Sequence, residues 1–231
     1  MEDFYDRTRR LIGVGAMERL RKAAVLVVGL GGVGGHLAEN LVRAGVGTLG
    51  LCDCDRIEES NMNRQILAVS HTLGMYKTRA AAQRFLSING DLILREHPFR
   101  LTEKTLPELQ VESYDYIADA IDDVGAKILL IREASQRGIP VISAMGAGNK
   151  TDPTRFRIAS VGATHTCPLA RVLRKELRSV GLSDVPVLFS DEVPPERDEA
   201  ETTGVTASIS YMPAVAGSLI AGRILMDLIK K

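Results

Sequence analysis

A glycine-rich segment, Gly29-Leu-Gly31-Gly32-Val-Gly34, lies between an apolar run and a helix-like stretch, and it fits the pattern Gly-x-Gly-x-x-Gly. Glycines permit a tight turn and let the backbone approach a ligand, while the following helix offers free N–H groups to phosphate. Asp53 lies 19 residues after Gly34, at the end of the next predicted strand. A carboxylate at that place can accept hydrogen bonds from ribose hydroxyl groups. The pattern predicts a nucleotide site.

Charged residues farther along the chain favour a triphosphate over a dinucleotide. An NAD-dependent oxidoreductase would explain the glycine loop and Asp53 alone. However, Asp55, Arg64 and Lys77 follow in sequence, and Asp119 and Asp122 come at the end of a later predicted strand. Ligands of open parallel sheets bind at the carboxyl ends of the strands, where these side chains would gather. Arginine and lysine stabilise phosphate charge, and a carboxylate binds Mg²⁺, so we expect ATP with Mg²⁺.

The elements that must position these residues follow a regular alternation of apolar runs and helix-length segments over residues 24–144. Strands are predicted at 24–29, 48–53, 92–96, 115–120 and 140–144, and helices at 33–43, 77–89 and 125–136. After residue 146 the pattern changes, with strands at 156–161 and 185–189, helices at 169–180 and 214–229, and a mobile acidic loop at 191–201. We predict an α/β fold with a Rossmann-like, mostly parallel sheet, helices on both faces and a C-terminal strand–helix elaboration.

Length and composition agree with one soluble domain. The 231 residues are 45% hydrophobic and 25% charged, with 29 basic and 29 acidic residues. We expect a single domain over 1–231, with a nucleotide-binding core at 1–148 and a substrate-side elaboration at 149–231. Three cysteines are too few for a disulfide framework. The charged N-terminus has no signal-peptide pattern, and the uncharged stretch 202–222 is rich in Gly, Ser and Thr, so we expect a cytoplasmic protein without a membrane partner.

The motifs, taken together and in order, resemble the ubiquitin-activating-enzyme-like (ThiF/MoeB) adenylating superfamily. The matching segments are the glycine loop, Asp53-Cys-Asp55, Ser60-Asn61-x-Asn63-Arg64-Gln65, Gly74-x-x-Lys77 and Asp119-Ala-Ile-Asp122. In that superfamily ATP activates a carboxylate as an acyl-adenylate, and pyrophosphate is released. The resemblance therefore implies an ATP-dependent enzyme of the ligase or cyclase type.

The same resemblance implies a role for each matching residue. Asn61, Arg64 and Lys77 would contact the phosphates, and Asp122 would hold Mg²⁺. Arg7 matches an arginine that reaches into the site of a neighbouring subunit, which implies a homodimer. The nucleotide-binding set is completed by Gly29, Gly31, Gly32, Gly34 and Asp53, the last at the ribose. A carboxylate nucleophile needs no general base, so positioning and charge neutralisation should supply most of the rate.

The segment after the predicted core resembles one branch, the tRNA threonylcarbamoyladenosine dehydratases. Gly146-Ala-Gly148, Asp152-Pro153-Thr154 and Pro168-Leu-Ala carry this likeness, while Cys167 and the short region 181–203 depart from it. The branch implies ATP-dependent cyclisation of N6-threonylcarbamoyladenosine in tRNA with loss of water.

Three other functions remain open at this point. The chain could adenylate the C-terminal carboxylate of a ubiquitin-like sulfur-carrier protein. In that case Cys167 could be a thioester nucleophile; the alternative is an ordinary cysteine at the start of a helix. More remote alternatives are an NAD-dependent oxidoreductase and a non-catalytic nucleotide-binding scaffold.

A basic helix face agrees with a tRNA substrate despite the zero net charge. Arg171, Arg174, Lys175 and Arg178 are spaced i, i+3, i+4 and i+7, which places them on one side of a helix. Arg155 and Arg157 are expected to project together from the preceding strand. The alternative is a solvated helix face without a partner.

Overall fold

In the computed structural model, which describes residues 4–193 and 206–230, seven strands form one sheet in the order β3-β2-β1-β4-β5-β7-β6. All neighbouring strands are parallel except β6, which runs antiparallel to β7 at the edge of the sheet. The predicted α/β fold with a mostly parallel sheet is confirmed. The strands are β1 (Ala24–Val28), β2 (Thr48–Cys52), β3 (Ile93–His97), β4 (Tyr116–Asp119), β5 (Val141–Ala144), β6 (Phe156–Ser160) and β7 (Pro186–Ser190).

The helices cover both faces of this sheet. Five of them were predicted, whereas the first two, in the basic N-terminal segment, were not. The α-helices in the described part of the chain are α1 (Asp6–Ile12), α2 (Val14–Lys22), α3 (Gly32–Ala44), α4 (Lys77–Ile88), α5 (Val124–Gln136), α6 (Pro168–Arg178) and α7 (Tyr211–Lys230). Short 3-10 helices occur at Glu59–Asn61, Ser70–Thr72, Leu106–Leu109, Val111–Ser113, Pro153–Arg155 and Val161–Ala163.

Strand β1 shows why the central strands are continuously apolar. Successive side chains of a strand point to opposite faces, so a strand covered on both sides buries every residue. Val25 and Val27 join a core with α3, α4 and α7, while Leu26 and Val28 join a second core with α5 and α6. Each of these four side chains is at most 2% exposed. The two cores fix the strands between them, and thereby fix the loops at the strand ends.

Helix α7 is the one helix in the described residues that is long and apolar enough to span a membrane, with a mean hydropathy of 1.5. It packs closely on α3, and a Cβ on Gly217 would lie 2.5 Å from the carbonyl oxygen of Val33. Its inward side belongs to the first core, through Met212, Ala216, Ile220, Ile224 and Leu228. The packing accounts for the apolar residues on the inward side of α7.

The strand order reverses between β1 and β4, because β2 and β3 are added outward from β1 on one side, while β5, β7 and the edge strand β6 lie outward from β4 on the other. The loops that follow β1 and β4 therefore diverge and leave a crevice at the carboxyl edge of the sheet. Most of the acidic loop that was predicted at 191–201 lies outside the described residues.

Candidate active site

A cavity of about 1070 Å³ occupies this crevice. Gly29, Gly31 and Gly32 line it, together with residues that follow β2, β3, β4 and β5. Most of the charged residues singled out from the sequence also line it: Asp53, Asp55, Asn61, Arg64, Lys77 and Asp122. Residues from distant parts of the chain thus meet where the fold leaves the crevice open.

The glycine loop has little room for side chains where it turns. Gly29 has φ +91°, and a Cβ there would lie 2.5 Å from the carbonyl oxygen of Ala120. A Cβ on Gly34 would lie 1.7 Å from the carbonyl oxygen of Gly29. By contrast, a Cβ on Gly31 would meet nothing within 4 Å. Gly31 is the N-cap of α3 and supplies no side-chain cap, so the loop opens the first turn of α3 toward the cavity.

Asp53 is held firmly just after β2. One carboxylate oxygen accepts a hydrogen bond from the N–H of Leu30 at 2.7 Å, and the other accepts one from the N–H of Asp55 at 2.8 Å. Burial raises the pKa of Asp53, while the nearby ammonium of Lys77 and these two hydrogen bonds oppose the rise. The bond to Leu30 ties the carboxylate to the glycine loop, so its position relative to that loop is fixed.

Lys77 begins α4 and points its buried side chain at the same carboxylates. Its Nζ lies 2.7 Å from Oδ2 of Asp55 and 3.9 Å from Oδ2 of Asp53. The hydrogen bond from Lys77 lowers the pKa of Asp55, against a smaller effect of burial. The side chain of Lys77 is 7% exposed, whereas that of Asp55 is 58% exposed. A phosphate that enters the cavity can replace Asp55 as the partner of Lys77, because the exposed side chain of Asp55 can rotate into the solvent.

Asn61 and Arg64 come from the loop between β2 and α4, which includes the 3-10 helix Glu59–Asn61. Asn61 is buried, and its side-chain oxygen accepts from the N–H of Glu58 at 3.3 Å. One terminal nitrogen of Arg64 donates to the carbonyl of Ser60 at 2.9 Å and to the side chain of Asn63 at 2.8 Å. The other guanidinium nitrogens have no partner among the described residues. They remain available to an anion in the cavity.

The two acids at the end of β4 differ completely in their surroundings. Asp122 is exposed and lines the cavity. Asp119 is fully buried, and it accepts hydrogen bonds from Lys127 at 3.0 Å and from Ser143 at 2.5 Å. The expectation that both acids would gather at the ligand site is therefore wrong for Asp119. Its carboxylate neutralises Lys127 beneath the cavity floor.

Arg7 and Cys167 do not line the cavity. Arg7 is exposed on α1. Cys167 is 4% exposed at the N-cap of α6, which fits an ordinary helix-start cysteine better than an accessible nucleophile. Cys52 is buried, and burial raises the pKa of its thiol to about 12. Cys54 is partly exposed at the cavity wall.

Several residues of the cavity wall were missed from the sequence. Arg100 lies just after β3, where the rule about strand ends would have found it. Thr206 and Ser208 gave no such signal, because hydrogen bonds to distant loops bring them there. The side chain of Asn63 donates to the carbonyl of Ser208 at 3.3 Å. The backbone N–H of residue 149 likewise donates to the carbonyl of residue 207 at 2.8 Å.

All of these loops lie within the match to one known protein family. The ThiF family matches residues 5–231. This chain belongs to the ThiF family. The superfamily resemblance drawn from the motifs is thus confirmed, and it extends beyond the segments that carried it.

Relatives of known name match between three quarters and nearly all of this chain. A tRNA threonylcarbamoyladenosine dehydratase of Bacillus subtilis (strain 168) is 39% identical over 240 residues, which is 98% of this chain and 94% of the relative. The dehydratase of Escherichia coli (strain K12) is 36% identical over 172 residues, covering 74% and 64%. A crystal structure of the E. coli enzyme in complex with ATP has a TM-score of 0.90, with 30% identity over 98% of this chain and 93% of that one.

Proposed function

We propose that this protein uses ATP to activate the carboxylate of N6-threonylcarbamoyladenosine in tRNA and to cyclise it with loss of water. The observation that carries the proposal is the likeness to a dehydratase over almost the full length of both chains. The likeness extends through the region after residue 146. The cavity supports the proposal, since it combines a glycine loop with three cations, Arg64, Lys77 and Arg100, and the exposed carboxylate of Asp122.

Each wall of the cavity has a part in this proposal. The nucleotide lies along Gly29, Gly31 and Gly32, while Gly34 packs behind them against the backbone of Gly29. The fixed carboxylate of Asp53 accepts hydrogen bonds from the ribose hydroxyl groups. Asn61, Arg64 and Lys77 face the phosphates. Arg64 has unpaired guanidinium nitrogens at the wall, and Lys77 has an exchangeable partner in Asp55. These are the interactions that a charged phosphoryl-transfer transition state requires.

Asp122 fits a magnesium ligand. Mg²⁺ prefers carboxylate oxygens and is held in nucleotide sites by one or two carboxylates together with the phosphates. Asp122 is exposed at the cavity and has no side-chain partner among the described residues, in contrast with the buried pair of Asp119. When bound, the ion would neutralise phosphate charge. Arg64 and Lys77 would supply the remaining positive charge beside the phosphates.

The reaction proceeds in two substitutions. A carboxylate oxygen of the substrate attacks the α-phosphorus of ATP and pyrophosphate leaves, which forms the acyl-adenylate. A second nucleophile within the same threonylcarbamoyl group then attacks the activated carbonyl carbon, loses its proton and displaces AMP. AMP carries away one carboxylate oxygen, so the nucleoside loses the elements of one water. The chain's own residues hold the reactants and balance charge in both steps.

The assembly belongs to the same proposal. Arg7 is exposed on α1 and lies outside the cavity of its own chain. We propose a homodimer in which Arg7 enters the partner's site as a further positive group. We also propose that the enzyme acts in the cytoplasm with tRNA as its substrate. A sulfur-carrier protein is the alternative partner, and the burial of Cys167 argues against a thioester route to it.

Incubation with Mg·ATP and tRNA that carries uncyclised threonylcarbamoyladenosine tests the function. After digestion of the tRNA, mass spectrometry should find the nucleoside lighter by one water. Arg64→Ala should slow the reaction about 100-fold or more, because it removes a charge-stabilising donor. Arg132→Ala is the matched control, since Arg132 is exposed on α5 away from the cavity. An unchanged nucleoside mass with intact ATP binding would refute the proposal and favour activation of a carrier protein.

A further inference from the structure

Four basic side chains on α6 surround a shallow surface depression separate from the nucleotide cavity. The depression measures about 480 Å³. Its wall consists of Arg171, Arg174, Lys175 and Arg178 with the hydroxyl of Ser179. The one acid of this helix, Glu176, points about 150° away from the centre of the basic row, by the angle of 100° per residue. The lining is therefore positive with no acidic residue in it.

Most of this charge has no internal partner. Arg171, Lys175 and Arg178 are exposed, and their side chains make no ion pair or hydrogen bond within the described residues. Arg174 is oriented by hydrogen bonds to the carbonyl and the hydroxyl of Thr164. Neither acceptor is charged, so Arg174 also keeps its full positive charge.

Arg155, unlike the four cations on α6, has an acidic partner. Its guanidinium pairs with the carboxylate of Asp191 at 2.7 Å. Arg157 donates to the carbonyls of Thr154 and Phe156. The expectation that both arginines project from the strand is wrong for Arg155, which lies in the 3-10 helix Pro153–Arg155 and is neutralised by Asp191, whereas Arg157 lies in β6 and keeps its charge beside uncharged acceptors. The row of four cations without an acidic partner lies on α6.

We propose that this basic row, Arg171, Arg174, Lys175 and Arg178, is the docking site for the phosphate backbone of the RNA substrate. The proposal rests on the proposed function for the identity of the RNA. Repeated cations that line a depression are suited to a chain of phosphates, which binds mainly through release of its counterions.

The position of α6 connects the row with the nucleotide cavity. Leu169, in the first turn of α6, lines that cavity, and Arg171 follows two residues later. The row then extends about 10 Å along the helix axis to Arg178, at 1.5 Å per residue. This length is close to the screening length in physiological salt, about 8 Å, so the four charges act together. By the angle of 100° per residue, Leu169 points about 170° away from the centre of the row, so RNA held by the row must pass around the first turn of α6 to bring its modified nucleoside to the cavity.

Insertion of α6 into a membrane surface is excluded by the packing of the helix. The apolar residues Ala170, Leu173 and Leu177 are completely buried in the second core. An interfacial membrane helix must bury its apolar side in lipid, and here that side is already used. The exposed side of α6 offers mainly charge.

The test variant is Arg171→Gln/Lys175→Gln, compared with the control Arg132→Gln/Lys230→Gln. Each variant removes one exposed arginine and one exposed lysine, and Arg174 with its Thr164 contacts is kept in both. Loss of two phosphate contacts lowers the slope of log K against log salt by about 1.4 to 1.8. Over the tenfold range from 1 M to 0.1 M salt, this change of slope corresponds to a loss of affinity of about 25- to 60-fold at 0.1 M.

Affinity for fluorescently labelled tRNA and for ATP is measured for each protein over a range of salt concentrations. We expect weaker tRNA binding and a reduced salt slope in the test variant only, with unchanged affinity for ATP. Equal tRNA affinity in the test and control variants would overturn the docking site. A loss shared by both variants would overturn it too, because the effect would then follow net charge.

Activity on the free nucleoside separates this proposal from the proposed function. The isolated threonylcarbamoyladenosine nucleoside has no phosphate backbone, so the test variant should dehydrate it as fast as the wild type does. If the wild type dehydrates neither tRNA nor nucleoside while the variant loses tRNA affinity, the proposed function fails and the RNA-binding surface stands. If dehydration of tRNA is normal in the variant, the surface is refuted and the function stands.

Discussion

Replacing Lys127 by methionine removes the positive member of a buried ion pair that joins two walls of the cavity. Lys127 Nζ lies 3.0 Å from Asp119 Oδ2, and it also donates to the carbonyl of Ala144 at 2.7 Å. Both charged side chains are 0% exposed. Asp119 and Ala144 are the last residues of β4 and β5, and the loops that follow both strands line the cavity. The ammonium group thus connects the bases of two neighbouring loops.

The expected loss of stability follows from this burial. Removing one partner of a buried pair leaves an uncompensated charge, here on Asp119, and costs about 3–5 kcal/mol. For a chain of this length each kcal/mol lowers Tm by roughly 2–4 °C, so the fall should be about 6–20 °C. Methionine keeps the length of the side chain, which limits the effect of a cavity. Affinity for ATP should also fall, because the loops after β4 and β5 lose their common anchor.

Thermal unfolding followed by circular dichroism measures the first effect, and titration with ATP well below the unfolding transition measures the second. The control is Lys127→Met/Asp119→Asn, which removes both charges and should recover much of the lost stability. A single variant within about 1 kcal/mol of the wild type would refute the assigned role of the pair. So would a double variant no more stable than the single one.

Two further predictions concern the glycine loop and the helix that follows it. Gly34→Ala should destabilise the protein and abolish ATP binding, because the new Cβ would lie 1.7 Å from a carbonyl oxygen. Gly31 has φ −72° and open space at its Cβ position, so Gly31→Ala should keep the Tm of the wild type and weaken only ATP binding. Equal Tm values for the two variants would contradict this. Burial raises the pKa of Glu39, but hydrogen bonds from Arg84 and Arg43 lower it more, and the net shift is downward from 4.5. A depressed carboxyl pKa stabilises the fold above the unfolded value and loses that contribution as the pH falls through the folded value. Urea unfolding at pH 6 and pH 3.5 should therefore show a smaller acid-induced loss for Arg84→Gln than for the wild type, and equal losses would count against the prediction.

The central strands were predictable because burial on both faces produces an unmistakable pattern. The run Ala24-Val-Leu-Val-Val has no polar residue, and the observed β1 begins at its first residue. Gly45 follows α3 and Asn89 follows α4, and each of these helices ends within one residue of its predicted end. Local chemistry was sufficient wherever a segment had both a continuous apolar pattern and a marked end.

Elements that depend on distant partners were not predictable in this way. Helices α1 and α2 are short, and α1 buries no residue completely, so the N-terminal segment shows mainly its charge. The order of the last two strands was not predictable either, since β7 pairs with β5 although β6 precedes it in the chain. Neither strand carries a local signal for its neighbour. Pairing across such distances is decided by the packing of the whole sheet.

Two lysine–aspartate pairs at the carboxyl edge look alike in sequence and differ in the structure. In each, an aspartate at or just after a strand end meets a lysine from the helix that follows: Asp55 with Lys77, and Asp119 with Lys127. Asp119 is 0% exposed and cannot exchange its partner for water, so that pair can only support the fold. Asp55 is 58% exposed, so it can release Lys77 to an arriving phosphate at little cost in desolvation. Burial, which the residue types do not encode, therefore separates the lysine that supports the cavity from the lysine that can serve the ligand.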